Sequence, residues 1–248
     1  SKLITLQDGR LVLSGTFQNN GIFGSVTHES SGMSDCFAAH LSGNGVWGNV
    51  FPFGGPGEDE ITGLVSLSDN KMIMTGNFMG SLRFGNRKIL SNGRRDGFIA
   101  LFNEYGSSIY LDNFGGSGSD SIESISNVDG QVHFVGSFSN ELAIAGKIFS
   151  SRGGRDSYIA LFDTDGKVVL DAFQVGGRGE DVAIRTDSAF SGNILFSGIS
   201  DGFLDANSSV LTTGVSRNSY LAILTSLEDQ NATIVPTLSP SPQSEIPP

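Results

Sequence analysis

The stretch Gly115-Gly116-Ser117-Gly118-Ser119-Asp120 decides the fold, because the chain contains two close copies of it. These copies are Gly54-Gly55-Pro56-Gly57-Glu58-Asp59 and Gly176-Gly177-Arg178-Gly179-Glu180-Asp181. The three aspartates that end the stretches, Asp59, Asp120 and Asp181, follow one another at intervals of 61 residues. Self-similarity at a fixed period indicates one supersecondary unit that is repeated as a stack or a ring.

Two further marks recur with almost the same period and extend the repeat to four copies. The first mark is Asp35-Cys36-Phe37-Ala38-Ala39, Asp96-Gly97-Phe98-Ile99-Ala100, Asp156-Ser157-Tyr158-Ile159-Ala160 and Asn218-Ser219-Tyr220-Leu221-Ala222. The second mark is Gly15-Thr16-Phe17, Gly76-Asn77-Phe78, Gly136-Ser137-Phe138 and, in a weaker form, Gly198-Ile199. The fourth copy departs most from the pattern, as terminal repeats often do.

Each repeat reads as four short strands separated by turns. In the second repeat the β-rich segments are Ile61–Leu67, Lys71–Gly76, Asp96–Phe102 and Ile109–Phe114. No helical period persists for ten residues anywhere in the chain. The long connection at residues 77–95 carries apolar side chains of its own, and we expect it to form a short extra hairpin.

A single four-stranded antiparallel meander cannot bury both of its faces, so the repeats must pack face to face, as the blades of a propeller do. The sequence therefore predicts an all-β protein, a β-propeller of four-stranded antiparallel blades, each with an extra hairpin. Four blades belong to this chain, and they either close into a small ring or form part of a larger one. The predicted blades are approximately residues 1–53, 54–114, 115–175 and 176–235, and residues 236–248 form a Pro/Ser-rich extended linker or stalk. The core between blades is expected to contain Phe17, Phe37, Phe78, Phe98, Phe138, Tyr158 and Tyr220.

These marks resemble a known family, the bacterial SBBP-type β-propeller repeat. The resemblance rests on the glycine-rich stretch ending at Asp120, the Asp129-Gly130 hairpin, and the strand segments Val135–Phe138 and Asp156–Ala160. It covers nearly the whole chain, about residues 2–235. The resemblance implies a propeller fold and a secreted or cell-surface protein without known catalysis.

Composition narrows the possible partners. The 248 residues carry a net charge of −11, which argues against nucleic acid, since phosphate binding needs a basic surface. The hydrophobic segments are too short to cross a bilayer, so we expect no direct membrane insertion. The single cysteine, Cys36, cannot form an internal disulfide, and we expect it to be a small buried residue.

The glycine-rich stretches also match the nonapeptide of calcium-binding β-rolls, which makes Asp59, Asp120 and Asp181 candidate calcium ligands. A calcium ion needs six to eight oxygen ligands, and one stretch in 61 residues supplies too few. The favoured interpretation is structural. The glycines would allow a positive φ in the turn between blades, and the aspartate would accept backbone N–H groups.

No residue pattern indicates catalysis, and the sequence predicts a protein that is not an enzyme and needs no cofactor. The three histidines, His28, His40 and His133, lie at unrelated positions of the repeat. The acid pairs at residues 58–59 and 180–181 recur with the repeat, whereas a catalytic site normally occurs in one copy only.

One basic cluster stands out in this acidic chain. Its five side chains belong to the long connection of the second repeat: Arg83, Arg87, Lys88, Arg94 and Arg95. They are either a solvated hairpin or a contact surface for an acidic face of a neighbouring copy or an acidic glycan.

Possible glycosylation sites point to an extracellular location. Two sequons place N-glycans at Asn207 and Asn231, and the Ser/Thr/Pro tail offers O-glycan sites at Thr237, Ser239 and Ser241. We therefore expect a non-catalytic structural or interaction module at the cell surface or outside the cell. It would contact other copies or surface proteins, as a repeating glycoprotein subunit of a fibre or matrix. The alternative is a lectin-like propeller that binds a glycan or another ligand.

Overall fold

The protein is described by a computed structural model that covers residues 1–128, 130–165, 167–188, 194–201, 203–206, 209–212, 218–224 and 232–236. Throughout these residues the chain forms β-strands joined by turns, and the helical structure described is a single 3₁₀ turn at Ser68–Asn70. The strands form four antiparallel four-stranded sheets and four two-stranded hairpins. The all-β class and the repeated four-stranded unit that the sequence predicts are therefore present.

The four sheets follow one another along the chain. Sheet 1 contains β1 Lys2–Thr5, β2 Leu11–Phe17, β5 Asp35–Leu41 and β6 Trp47–Phe53. Sheet 2 contains β7 Glu60–Ser66, β8 Met72–Phe78, β11 Asp96–Phe102 and β12 Ser108–Phe114. Sheet 3 contains β13 Ser121–Val128, β14 Gln131–Phe138, β17 Asp156–Asp163 and β18 Val168–Val175. Sheet 4 contains β19 Asp181–Ser188, β20 Ile194–Ser200, β23 Asn218–Leu224 and β24 Ala232–Pro236.

A hairpin interrupts each sheet between its second and third strands, which confirms the expected structure of the long connections. The hairpin strands are β3 Asn20–Phe23 with β4 Val26–Glu29, β9 Ser81–Phe84 with β10 Arg87–Leu90, β15 Glu141–Ile144 with β16 Lys147–Ser150, and β21 Phe203–Ala206 with β22 Ser209–Thr212. Apart from this insertion, each sheet is a simple meander of adjacent antiparallel strands.

Consecutive sheets bury their apolar side chains against each other. One cluster joins Val12 and Ala38 of sheet 1 to Met74 and Phe98 of sheet 2. Equivalent clusters join sheet 2 to sheet 3 and sheet 3 to sheet 4. Of the predicted core aromatics, six are buried and Phe17 is partly buried. Phe17 and Phe37 pack in a small cluster between sheet 1 and its hairpin, and so the prediction of a core between sheets is wrong for these two residues.

The recurring glycine of the second strand has a packing role. In all four sheets this glycine lies directly opposite the aromatic residue of the third strand; the pairs are Gly15–Phe37, Gly76–Phe98, Gly136–Tyr158 and Gly198–Tyr220. A β-carbon added at Gly76 would overlap the carbonyl oxygen of Glu60 and lie 2.5 Å from the ring of Phe98. The ring therefore covers the glycine, an arrangement that compensates for glycine in a strand.

Hydrogen bonds between sheets fix their relative position. The backbone N–H of Ile122, at the start of sheet 3, donates to Oδ1 of Asn77 in sheet 2 at 2.7 Å. The backbone N–H of Ile61 donates in the same way to Oγ1 of Thr16 in sheet 1 at 3.3 Å. The first strand of one sheet is thus anchored to the second strand of the sheet before it.

We predict that Gly76→Ala lowers the free energy of unfolding by about 1–3 kcal/mol, because the added methyl group overpacks a closed site beneath the Phe98 ring. The matched control is Gly43→Ala, since a β-carbon at Gly43 meets no atom within 4 Å. The control should change stability by less than about 0.5 kcal/mol. Urea denaturation of both variants measures the difference, and equal midpoints would contradict the packing role.

Candidate functional site

The three turns that connect consecutive sheets share one arrangement, and we call them the Asp turns: Gly54–Asp59, Gly115–Asp120 and Gly176–Asp181. In the central one, the N–H of Gly116 donates to Oδ2 of Asp120 at 2.6 Å, and the N–H of Ser139, directly after β14 of sheet 3, donates to Oδ1 at 2.9 Å. The backbone N–H of Asp120 itself donates to the carbonyl of Arg95, directly before β11 of sheet 2, at 2.7 Å. Asp120 therefore ties sheet 2 to sheet 3.

The other two Asp turns repeat this geometry. The N–H of Gly55 donates to Oδ2 of Asp59, and the N–H of Gly177 donates to Oδ2 of Asp181, each at 2.6 Å. All three aspartates are buried. The prediction that these carboxylates accept backbone N–H groups is therefore confirmed.

The predicted reason for the glycines of the Asp turns is wrong. None of these glycines, all of which lie in the described part of the chain, has a positive φ. Instead, the backbone comes too close to its neighbours for a side chain. A β-carbon at Gly55 would overlap the carbonyl oxygen of Ser81, and one at Gly116 would overlap that of Glu141. Close approach of one sheet to the hairpin of the next, and not an unusual backbone conformation, requires glycine here.

A second carboxyl group lies beside each of these aspartates. Asp35, Asp96 and Asp156 begin the third strands and approach Asp59, Asp120 and Asp181, respectively. Burial, and to a smaller extent this neighbouring carboxyl group, raises the pKa of Asp59 to about 7 and the pKa values of Asp120 and Asp181 to about 6. A β-carbon at Gly54 would lie 2.7 Å from Oδ1 of Asp35 and 2.9 Å from Oδ2 of Asp59, so both carboxyl groups of this pair pack against the same glycine.

The arrangement of the Asp turns does not favour calcium. Each of the three carboxylates accepts a backbone N–H group at its Oδ2, and the positive end of that group repels a cation. Within the described residues, no three His, Cys, Asp or Glu side chains lie together as metal ligands would. The calcium hypothesis for Asp59, Asp120 and Asp181 stays a prediction, and we base no function on it.

Cys36 and His133 carry reactive groups, but their side chains are buried in the core. Cys36 is fully buried, and burial raises the pKa of its thiol well above the ordinary value. His133 is fully buried as well, and burial lowers the pKa of its imidazole to about 4, so the ring is neutral at physiological pH. A reactive cysteine needs an accessible thiolate, which Cys36 does not provide.

The predicted basic cluster forms an exposed surface on the hairpin of sheet 2. Arg83 and Lys88 are directly opposite each other on β9 and β10, and Arg87 lies next to Lys88. Arg94 follows the hairpin and is exposed too. We call these four residues the cationic surface. None of the four takes part in an ion pair with another described residue.

Arg95, the fifth predicted residue, has a different role. Its guanidinium group forms an ion pair with Glu60 at the start of β7, so its charge is compensated within sheet 2. Its backbone pairs with Ser119 of the next Asp turn. Arg95 therefore belongs to the junction between sheets and not to the cationic surface.

The first strands of all four sheets line one cavity of about 390 Å³, which we call the central cavity. Its lining residues are Lys2 and Ile4 of β1, Thr62 to Ser66 of β7, Ser124 to Asn127 of β13, and Arg185 to Asp187 of β19. A second cavity of about 500 Å³ lies among the turns that follow the first strands and shares Ser66 and Asn127 with the central cavity. At this border Nδ2 of Asn127 donates to the carbonyl of Ser66 at 2.9 Å. The lectin-like alternative included a central channel as a binding site, but its residues were not identified from the sequence, although the Ser, Thr and Asn residues of the first strands could have indicated a polar interior.

The predicted glycosylation sites Asn207, Asn231, Thr237, Ser239 and Ser241 lie outside the described residues. The described part of the chain contains no helix that is long and apolar enough to span a membrane.

Comparison with known proteins assigns no class. No model of a protein family matches the chain, and no curated protein matches it. The resemblance to the SBBP-type repeat therefore stays a prediction.

We predict that the stability contributed by Asp120 depends on pH. Its pKa is raised by burial above that of the unfolded chain, so its contribution is present at low pH and is lost as the pH rises through about 6. Asp120→Asn places an amide N–H₂ group against a backbone N–H donor and should cost about 1–3 kcal/mol. Because the variant lacks the cost of a buried charge, this destabilisation should be larger at pH 5 than at pH 8.

Urea denaturation of the wild type and Asp120→Asn at both pH values measures this difference. The control is Asp165→Asn, which removes the same charge from an exposed residue. The control should differ little from the wild type at either pH. An Asp120→Asn effect that is equal at pH 5 and pH 8 would show that the carboxyl group does not titrate in this range.

Proposed function

We propose that this chain is a non-catalytic extracellular structural and interaction module whose four sheets are arranged radially, as blades of a β-propeller. The lining of the central cavity by the first strands of all four sheets supports this arrangement. The face-to-face cores between consecutive sheets support it as well. Such a frame is rigid, and it presents its hairpins on the outside, where a partner can reach them.

The cationic surface is the observation that carries the interaction function. Like charges directly opposite each other on neighbouring strands destabilise a hairpin, and Arg83 faces Lys88 in this way. The equivalent pairs in two other hairpins are Ile22–Thr27 and Ala143–Ile148, which carry no such repulsion. A repulsive pair that occurs in one repeat only is better explained by an anionic partner than by the stability of the fold.

The partner that fits this surface is an acidic face of a second copy of the chain. The protein has a net charge of −11, so its own surface supplies the complementary charge. A contact between the cationic surface of one copy and a different face of another is heterologous, and heterologous contacts that do not close into a ring produce filaments. This assembly corresponds to the repeating subunit of a surface fibre or matrix. Glycans at the predicted sites would be compatible with it.

We predict that Lys88→Glu weakens self-association at low ionic strength about tenfold or more, because it turns the attraction at the cationic surface into repulsion. Lys167→Glu is the matched control: it makes the same charge change at another exposed lysine, away from the hairpin, and should leave association unchanged. Sedimentation velocity over a concentration series in about 20 mM and about 500 mM salt measures both effects, since exposed charges are screened at high salt.

Three results would contradict the proposal. The first is a chain that stays monomeric at every concentration in low salt. The second is association that Lys88→Glu leaves intact. The third is association that Lys167→Glu weakens as much as Lys88→Glu does, because net charge and not the cationic surface would then be responsible.

A further inference from the structure

Strand register places four residues of the central cavity at one level. Lys2 pairs with Ser14, Gly63 with Thr75, Ser124 with Val135, and Arg185 with Ser197, and these partners occupy the same position of the second strand in each sheet. The middle two sheets thus contribute small residues, Gly63 and Ser124. The outer two contribute long cationic side chains, Lys2 and Arg185. The residue at this position of the cavity therefore differs in size and charge between the middle and the outer repeats.

A β-bulge precedes this level in three of the sheets. The register shifts between Ile61 and Gly63 in β7, and at the equivalent positions in β13 and β19. Bulges change the direction of the side chains that follow them and are frequent at functional sites. Arg185 follows such a bulge directly. Its side chain and that of Asp187 lie on the same face of β19, since alternate residues of a strand share a face.

The other polar residues of the lining carry hydroxyl or amide groups, and the apolar residues of the lining are Ile4, Leu64, Val65 and Ile125. The hydroxyl group of Thr186 donates to the carbonyl of Leu195 at 3.0 Å, and that of Thr62 lies 3.4 Å from the hydroxyl group of Thr75. The serines of the lining are Ser66, Ser124 and Ser126. Hydroxyl groups both donate and accept hydrogen bonds, so they suit a ligand that is itself hydroxylated. The lining contains no aromatic side chain, and so it offers no face on which a flat apolar ligand could stack.

The charge of the cavity is opposite to the charge of the protein. The charged lining residues are two cations, Lys2 and Arg185, and one carboxylate, Asp187, in a chain of net charge −11. Neither cation forms an ion pair with another described residue. Cationic side chains in a cleft focus the field and raise the local concentration of anions.

From this arrangement we propose that the central cavity binds a hydroxylated organic anion of the sugar-acid class. The carboxylate of the ligand lies between Lys2 and Arg185, and its hydroxyl groups bond to Ser124 and Ser126. An arginine suits this role because its guanidinium group binds a carboxylate with two parallel hydrogen bonds. A cavity of about 390 Å³ lies within the range of small-molecule sites. This binding activity goes beyond the proposed interaction function and does not depend on it.

Titration calorimetry with D-glucuronate tests the proposal, and D-glucose is the neutral control ligand with the same ring. We expect saturable binding of glucuronate with a dissociation constant below about 1 mM and no binding of glucose. Arg185→Gln and Lys2→Gln should each weaken glucuronate binding about tenfold, the loss expected for one hydrogen bond to a charged group. Lys88→Gln, which removes a cation from the cationic surface, should bind glucuronate as the wild type does.

The proposal is overturned if glucuronate gives no saturable heat up to about 20 mM, or if Arg185→Gln and Lys2→Gln both bind as the wild type does. Equal binding of glucose would also overturn it, because the cations would then contribute nothing. Thermal unfolding of each variant without ligand shows that a loss of binding is not a loss of folding. Self-association of Arg185→Gln should remain at the wild-type level, so a failure here is distinguishable from a failure of the cationic surface.

Discussion

The hydrogen bond between a buried aspartate and the glycine N–H at the start of its own turn is the contact on which the array of sheets depends. The glycine-rich chain passes from one sheet to the next through a space so narrow that carbonyl oxygens of the following hairpin leave no room for a side chain. Backbone N–H groups that are buried there need acceptors, since an unpaired one costs as much as a lost hydrogen bond. Asp59, Asp120 and Asp181 provide them.

The burial of carboxyl groups at the three junctions between sheets is energetically unfavourable. Each junction brings two carboxyl groups close together in a buried place, and burial raises the pKa values of Asp59, Asp120, Asp156 and Asp181. The junctions between the sheets also fix the positions of the first strands. Residues of the four first strands line one cavity, which contains hydroxyl groups, two cations and the carboxylate of Asp187. The hairpin of sheet 2 carries the cationic surface.

Much of this fold could be predicted from the sequence, because the same local residue pattern occurs in four repeats. The strands, the extra hairpins and the burial of Tyr158 follow from apolar patterns that recur. The acceptor role of Asp120 follows from the recurring glycine-rich stretch that ends in an aspartate. The reason for glycine at Gly55 was missed, because close approach of a distant strand leaves no local pattern. The presence of Lys2 and Arg185 in the lining of one cavity was missed for a related reason. The two residues occupy equivalent positions of repeats that lie at opposite ends of the chain, and a bulge shifts the register of one strand.

Amide hydrogen exchange followed by NMR tests the role of the Asp turns most directly. If the buried aspartates hold the sheets together, the N–H groups of Gly55, Gly116 and Gly177 exchange as slowly as those of the central strands, because only global unfolding releases them. Exchange at the rate of the exposed turn residue Gly45 would contradict this account, since the junctions would then open independently of the sheets that they connect.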